Sequence, residues 1–148
     1  MPDANDFSPE ELQVLIPLFV SSGTNYLAVF RQNLELAREG RADEDSAEVL
    51  HRSIHSLKGA ALQLQLAHIG SLAKAMEEVV KTSRHTGHDL PADGIARLEK
   101  GADQLTEYIQ ALGGGEDPSP PPADMIRGFQ QLAESLGGDS AQDKAVGE

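Results

Sequence analysis

Apolar residues recur along most of the chain at the three- and four-residue steps that place side chains on one face of an α-helix. The most regular stripe consists of Ile95, Leu98, Ala102, Leu105, Ile109 and Leu112. A strand would need strict alternation of apolar and polar residues, and no run of this kind rich in Val, Ile, Thr and Tyr occurs. The pattern therefore predicts an all-α protein.

The first helix signal is Ser8-Pro9-Glu10-Glu11, in which Ser8 caps, Pro9 suits the first helical position and Glu11 completes a capping box. Residues 1–7, which precede it, are expected to be disordered. Pro17 lacks an N–H group and clashes with the preceding turn, so we expect a short first helix to end or kink there. A second helix is then predicted over about 18–39, with Gly40 as its stop.

Three more helices are predicted, over about residues 43–66, 70–86 and 91–112. The first of them opens with Asp43, Glu44 and Asp45, whose negative charge suits a helix N-terminus. Because the connections are short, neighbouring helices should run antiparallel. We therefore predict an up-and-down four-helix bundle with an additional, fifth helix, occupying residues 8–113.

The C-terminal part of the chain differs in composition from the bundle. Residues 114–123 are rich in glycine and proline and predict a linker. Residues 124–136 carry one amphipathic repeat, which predicts a short helix that docks on the bundle, binds a partner or stays unfolded. Residues 137–148 are polar and are expected to form a disordered tail.

Charge and composition narrow the class of partner. Aspartate and glutamate outnumber lysine and arginine by 24 to 12, and the net charge of −12 argues against binding to nucleic acid or to an anionic membrane surface. The longest apolar stretch, residues 14–20, is too short to span a bilayer. Cysteine is absent and the N-terminus lacks the basic start of a signal peptide, so we expect a cytoplasmic protein with no membrane partner.

The predicted helix over 43–66 has an unusual outer face. Its apolar positions fall within one arc that must face the core, namely Leu50, Ile54, Leu57, Ala61 and Leu64. His55 lies opposite the centre of this arc. Its neighbours on the outer face are His51, Lys58, Gly59, Leu62 and Leu66.

These neighbours suit an imidazole that accepts a phosphoryl group. A neutral imidazole is nucleophilic near pH 7, and Lys58, three residues on, can reach the same space and attract phosphate. Gly59 costs helix stability but leaves bare backbone for a close approach. His51, Leu62 and Leu66 predict a docking face for a partner, and Glu77 on the next helix is a candidate to hydrogen-bond the second ring nitrogen.

The residues His55-Ser56-Leu57-Lys58-Gly59-Ala60-Ala61 resemble the signature of histidine phosphotransfer (HPt) domains, and the resemblance covers about residues 12–112. The chain most resembles the N-terminal P1 domain of CheA-type chemotaxis histidine kinases. In that group a glutamate 22 residues after the histidine bonds the imidazole, and Glu77 stands at that spacing. The resemblance implies that His55 is phosphorylated, that Lys58 and Gly59 support the phosphoryl group and its access, and that Glu77 orients the ring.

The resemblance also implies the partners. The donor would be the catalytic domain of a histidine kinase, and the acceptor a receiver domain of a response regulator of the CheY or CheB kind. No ATP site is predicted in this chain, so ATP and magnesium would be held by the kinase, and magnesium by the receiver. No cofactor or metal is expected in the chain itself.

Two positions depart from the family pattern. Gln65 stands where many members have glycine at the end of the helix, and Lys74 stands where chemotaxis members often have histidine.

Three other interpretations stay open. His51 and His55 have the spacing of a metal pair but lack an evident third ligand. The chain would otherwise be a module of a phosphorelay outside chemotaxis, or a helical binding module without phosphate chemistry.

Overall fold

The computed structural model describes the backbone of residues 7–87 and 89–147 and, within these ranges, the side chains up to residue 137. Five helices and no strand occur in the described ranges, which confirms the predicted all-α class. The helices are α1 Pro9–Arg38, α2 Glu44–Gln63, α3 Ala67–Thr86, α4 Ala92–Gly113 and α5 Ala123–Gly147. The disorder predicted for residues 1–7 concerns a segment that, apart from Phe7, lies outside the described residues.

The N-terminal helix is continuous, so the predicted end of a short first helix at Pro17 is wrong. Ser8 and Glu11 form the expected capping box, and α1 then runs through Pro17 to Arg38. Pro17 is exposed, whereas Phe19 and Phe30 on the same helix are buried. The proline therefore removes one backbone hydrogen bond on the solvent side, and the buried apolar face holds the helix together across it.

The helix that carries His55 is shorter than predicted. It begins after Asp43, whose side chain accepts a hydrogen bond from the Ser46 backbone, and it ends at Gln63 instead of Leu66. The Leu66 N–H donates to the Ala61 carbonyl at 2.8 Å, closing a Schellman turn with Gln65 at φ +60°. The following helix, α3, accordingly starts at Ala67, earlier than the predicted entry near Gly70.

The four helices α1–α4 form a ring around one core. Helix α1 packs against α2 and α4, and α3 packs against α2 and, less extensively, α4. The most deeply buried large side chains of these four helices are Phe30, Leu34, Ile54, Leu57, Ile69, Leu72, Met76, Val79, Val80, Leu98 and Leu105. This ring is the predicted bundle, and it places the outer faces of α2 and α3 side by side.

The fifth helix of the fold comes from the C-terminal segment instead of from a divided N-terminal helix. Helix α5 packs mainly on α3, and Phe129 is 1 % exposed because it fits over Met76 and the bare backbone of Gly101. The helix also continues past the predicted end at residue 136 to Gly147, where a disordered tail was expected. Residues 139–147 contain no proline, and several of them are good helix formers, so no residue there stops the helix.

Helix α1 includes an 18-residue window that is long and apolar enough to cross a membrane by length and composition, with a mean hydropathy of 1.4. The prediction from the longest unbroken apolar stretch did not identify this window. Phe19, Leu27, Phe30 and Leu34 place one face of α1 in the core of the bundle. Only 17 % of the window is buried, so this face accounts for part of its apolar character, and Val14 and Leu18 on the same helix are exposed.

Candidate functional site

His55 lies in the middle of α2 on the face turned away from the core. Its side chain is 60 % exposed, whereas Ile54 and Leu57 beside it are buried at 1 % and 0 %. The apolar stripe of α2 therefore fixes the outward direction of the imidazole, as the helical spacing predicted.

Glu77 on α3 joins the imidazole to the neighbouring lysine. Its Oε2 lies 2.5 Å from Nδ1 of His55, and its Oε1 lies 2.6 Å from Nζ of Lys58. The Glu77 side chain is only 5 % exposed. An ionised carboxylate can only accept hydrogen bonds, so Nδ1 of His55 carries the hydrogen and donates it. In the neutral ring this leaves the Nε2 lone pair free to act as a nucleophile.

The environment of Glu77 keeps its carboxyl group ionised. Burial raises the pKa of Glu77, but hydrogen bonds and charge from Lys58 and His55 outweigh burial, so that its pKa lies below the ordinary 4.5. At neutral pH the group is therefore a carboxylate that orients the imidazole and balances the lysine.

His51 occupies a more enclosed position than the predicted docking face implied. Its side chain is 23 % exposed, and its Nε2 lies 3.2 Å from Oε2 of Glu77, the same oxygen that His55 contacts. Its Nδ1 lies 3.0 Å from Nη1 of Arg84. The rings of His51 and His55 meet edge to face with centroids 6.2 Å apart.

Sequence reasoning missed Arg84. It lies seven residues after Glu77, so two helical turns of α3 bring both side chains to one face. That spacing was a usable signal, but it becomes informative only when Glu77 and His51 are known to face each other.

A shallow depression of about 390 Å³ surrounds the pair of histidines. Its lining residues are Glu48, His51, Arg52, His55, Lys58, Glu77, Glu78, Lys81 and Arg84. Four of these are lysine or arginine, in a chain with a net charge of −12. Three others are glutamate, so the depression has a small excess of positive charge beside His55, which suits a phosphoryl group or an acidic partner.

The remaining predicted site residues divide into exposed and covered ones. A Cβ placed on Gly59 would have no atom within 4 Å, so the backbone beside His55 is open to an approaching molecule. Leu62 is 47 % exposed, with part of its side chain lying over Gly70. Leu66, by contrast, is partly buried against the core, because α2 ends at Gln63 and the chain turns inward. Its predicted place on the same exposed face is therefore wrong.

In the described part of the chain, no group of three or more His, Asp or Glu side chains is placed to hold a metal ion. His51 and His55 instead direct one nitrogen each at Glu77. The chemistry that the site supports is therefore that of an oriented, exposed imidazole.

Two comparisons with known proteins agree with this geometry. The sequence profile of the Hpt domain matches residues 14–115, which is more than half of the chain. A gliding motility regulatory protein from Myxococcus xanthus is 35 % identical over 102 residues, or 68 % of this chain. The chain spans only 12 % of the length of that relative.

Proposed function

Because the chain belongs to the Hpt domain family and thus has a phosphotransfer role in two-component signalling, we propose that His55 is the residue that carries the phosphoryl group. The observation that carries the proposal is the exposed imidazole whose Nδ1 donates to the buried Glu77 at 2.5 Å. This hydrogen bond leaves Nε2 as the nucleophilic nitrogen and turns it to the surface.

The uptake step follows from this arrangement. The Nε2 lone pair attacks the terminal phosphorus of ATP held by a partner kinase, an N–P bond forms, and the bond to the leaving oxygen of ADP breaks. The imidazole then carries positive charge, which the Glu77 carboxylate balances through Nδ1–H. Lys58, whose ammonium already contacts Glu77, lies close enough to draw the phosphoryl group toward the same space.

In the onward transfer, the imidazole is the leaving group instead of the nucleophile. A carboxylate oxygen of a receiver aspartate attacks the phosphorus, the N–P bond breaks, and its electron pair returns to Nε2. The acceptor must come within bonding distance of the phosphorus, and the open backbone at Gly59 gives it room. We propose that exposed Leu62 contributes to the receiver contact, together with the edge of His51.

The partners of this chain would be the catalytic domain of a CheA-type kinase and a CheY- or CheB-like receiver. The matched relative is a regulator of gliding motility, and control of movement is the output expected of a chemotaxis-type pathway. ATP and magnesium would be held by the kinase, and magnesium by the receiver. The acidic surface outside the site and the motif around His55 also fit a cytoplasmic carrier.

The proposal is tested by incubating the chain with a CheA-type catalytic domain and radiolabelled ATP. We expect label that is stable in alkali and lost in acid, as a phosphoramidate requires, and none on His55→Gln. His85→Gln is the matched control, because His85 is exposed near the end of α3 and lies outside the depression.

Label on His55→Gln would place the acceptor elsewhere. A wild-type chain that never gains label from any donor kinase, yet binds the same receiver as His55→Gln, would mark a binding module without phosphate chemistry.

A further inference from the structure

Two imidazoles share one carboxylate oxygen. Oε2 of Glu77 lies 2.5 Å from Nδ1 of His55 and 3.2 Å from Nε2 of His51. Because the ionised carboxylate accepts from both, the hydrogen is on Nδ1 in His55 and on Nε2 in His51. The two neutral rings are therefore opposite tautomers, held one helical turn apart on α2.

Arg84 fixes the tautomer of His51 from the other side. A guanidinium group donates hydrogen bonds and never accepts them. Its Nη1 lies 3.0 Å from Nδ1 of His51, so this nitrogen must be the acceptor and the ring hydrogen must be on Nε2. A directed series of hydrogen bonds thus runs from Arg84 through His51 to Glu77, where it meets the bond from His55.

His51 itself is a poor phosphoryl acceptor. Both of its ring nitrogens are engaged and its side chain is 23 % exposed. His55 has 60 % of its side chain exposed, and no hydrogen bond to its Nε2 occurs within the described ranges. The difference between the two rings assigns His51 a supporting task instead of a second acceptor site.

We propose that His51 and Arg84 are a positioning pair: they hold Oε2 of Glu77 in place and thereby keep His55 in the tautomer whose Nε2 is unprotonated. The consequence for phosphoryl uptake rests on the function proposed above, whereas the effect on the tautomer does not. Without the pair, Glu77 keeps only His55 and Lys58 as donors. Its Oε2 is then held by His55 alone, with one restraint fewer on its direction, and a share of His55 takes the Nε2–H form, which cannot attack phosphorus.

The tautomers are measured directly by nitrogen NMR of the imidazoles in the unphosphorylated chain, at a pH where both rings are neutral. We expect Nδ1–H for His55 and Nε2–H for His51 in the wild type. A His51 ring with its hydrogen on Nδ1 would overturn the proposal, because that nitrogen could not accept from Arg84.

Substitutions then separate positioning from packing. His51→Leu keeps the apolar bulk but removes both hydrogen bonds, so we expect a mixed tautomer at His55 and about tenfold slower phosphoryl uptake, the lower end of the effect seen when partners that orient metal-ligating histidines are lost. His51→Gln should restore both properties, because its amide donates to Glu77 and accepts from Arg84. Arg84→Met should lie between the wild type and His51→Leu in both measurements.

Lys100→Met is the control for the loss of one positive charge. Lys100 is exposed on α4, which contributes no residue to the depression, so neither measurement should change. Circular dichroism establishes that each variant keeps its helices. Where His51→Leu fails to fold, Arg84→Met carries the test alone, since Arg84 is exposed.

The outcomes separate this inference from the proposed function. If the wild type takes up phosphate and His51→Leu matches it in rate and in the tautomer of His55, the pair has no positioning role. If the wild type takes up no phosphate, the proposed function fails, and the NMR result alone then decides whether the pair sets the tautomer.

Discussion

Among the described residues, Glu77 has three hydrogen-bond donors, and all of them come from one face of α2: His51, His55 and Lys58. A buried charge is costly unless it is paired and hydrogen-bonded. The same contacts that orient the imidazole therefore also stabilise the packing of α3 on α2. Glu77 accordingly has a structural consequence that is measurable without any partner protein.

Glu77→Gln should reduce the acid sensitivity of folding. Folding lowers the pKa of Glu77 below 4.5, so its ionised form contributes stability above that value, and this contribution is lost as the pH falls through the lowered pKa. We expect the wild type to lose more free energy of unfolding between about pH 5 and about pH 3 than Glu77→Gln does. Urea denaturation at the two pH values measures the difference.

Glu78→Gln provides the comparison, because Glu78 is the next residue and is exposed. It should lose as much stability in acid as the wild type does. If the two variants behave alike, Glu77 gains no stabilisation from its donors, and the argument from burial is wrong.

The outward-facing residues of the candidate site were largely predictable from the sequence, and their supporting contacts were not. The helical spacing of α2 turned His55, Lys58 and Gly59 to the outer face, and the structure has them there. The contact between His55 and Glu77 was expected from family spacing. The contacts of His51 depend on how α2 and α3 are rotated against each other, which no pattern within either helix determines.

At the level of the elements, the end of α2 is the feature that the sequence obscured. The Schellman turn requires a residue in the left-handed region, which favours glycine, and this chain has Gln65 there at φ +60°. The hydrophobic pattern continued through Leu64 and Leu66, so the helix was predicted to continue as well. Tertiary packing of these leucines on the core favours the turn.

The free energy of unfolding of Gln65→Gly should exceed that of Gln65→Ala by about 1 kcal/mol, because glycine adopts this φ without strain. Comparing Gln65→Gly with Gln65→Ala removes the glutamine side chain from both proteins. At position 63, the last residue of α2, the order should reverse, with Gln63→Ala more stable than Gln63→Gly. Urea denaturation of the four variants gives the values, and the same order at both positions would refute the left-handed turn.

Two other differences between prediction and structure concern elements. The rule that proline ends a helix failed at Pro17, because the cost falls on the exposed side of a long helix anchored by core residues. Docking of α5 was left open, because it depends on Phe129 meeting Gly101 and Met76 across the bundle. Such complementarity between distant segments is absent from any local pattern.

For the whole molecule, both the net charge and the positions of the charged side chains have consequences. Acidic residues outnumber basic ones by 24 to 12 in the chain, whereas the depression at His55 is lined by four basic residues, Arg52, Lys58, Lys81 and Arg84, and by three glutamates. A net charge of −12 on a small bundle is self-repulsive and opposes compaction. Composition predicted this balance, but only the fold reveals that the cations lie together.

Added salt should therefore stabilise the chain. Raising sodium chloride from about 20 mM to about 500 mM shortens the screening length from about 20 Å to about 4 Å. We expect the midpoint of thermal unfolding to rise by a few degrees, measured by circular dichroism. Potassium chloride at the same concentrations should raise the midpoint as much as sodium chloride does, because screening depends on ionic strength. A lower midpoint in high salt would show that surface ion pairs outweigh the overall repulsion.

The bare backbone at Gly59 has a consequence for how partners are discriminated. In the function proposed above, Nε2 of His55 lies on an open surface, so the residues next to it cannot by themselves exclude a receiver of the wrong kind. Selectivity among receiver domains must then come from side chains farther from His55 that contact the surface of the partner. Exchanging the side chains around the site should direct phosphoryl transfer to a different receiver domain without changing the reaction at Nε2 of His55.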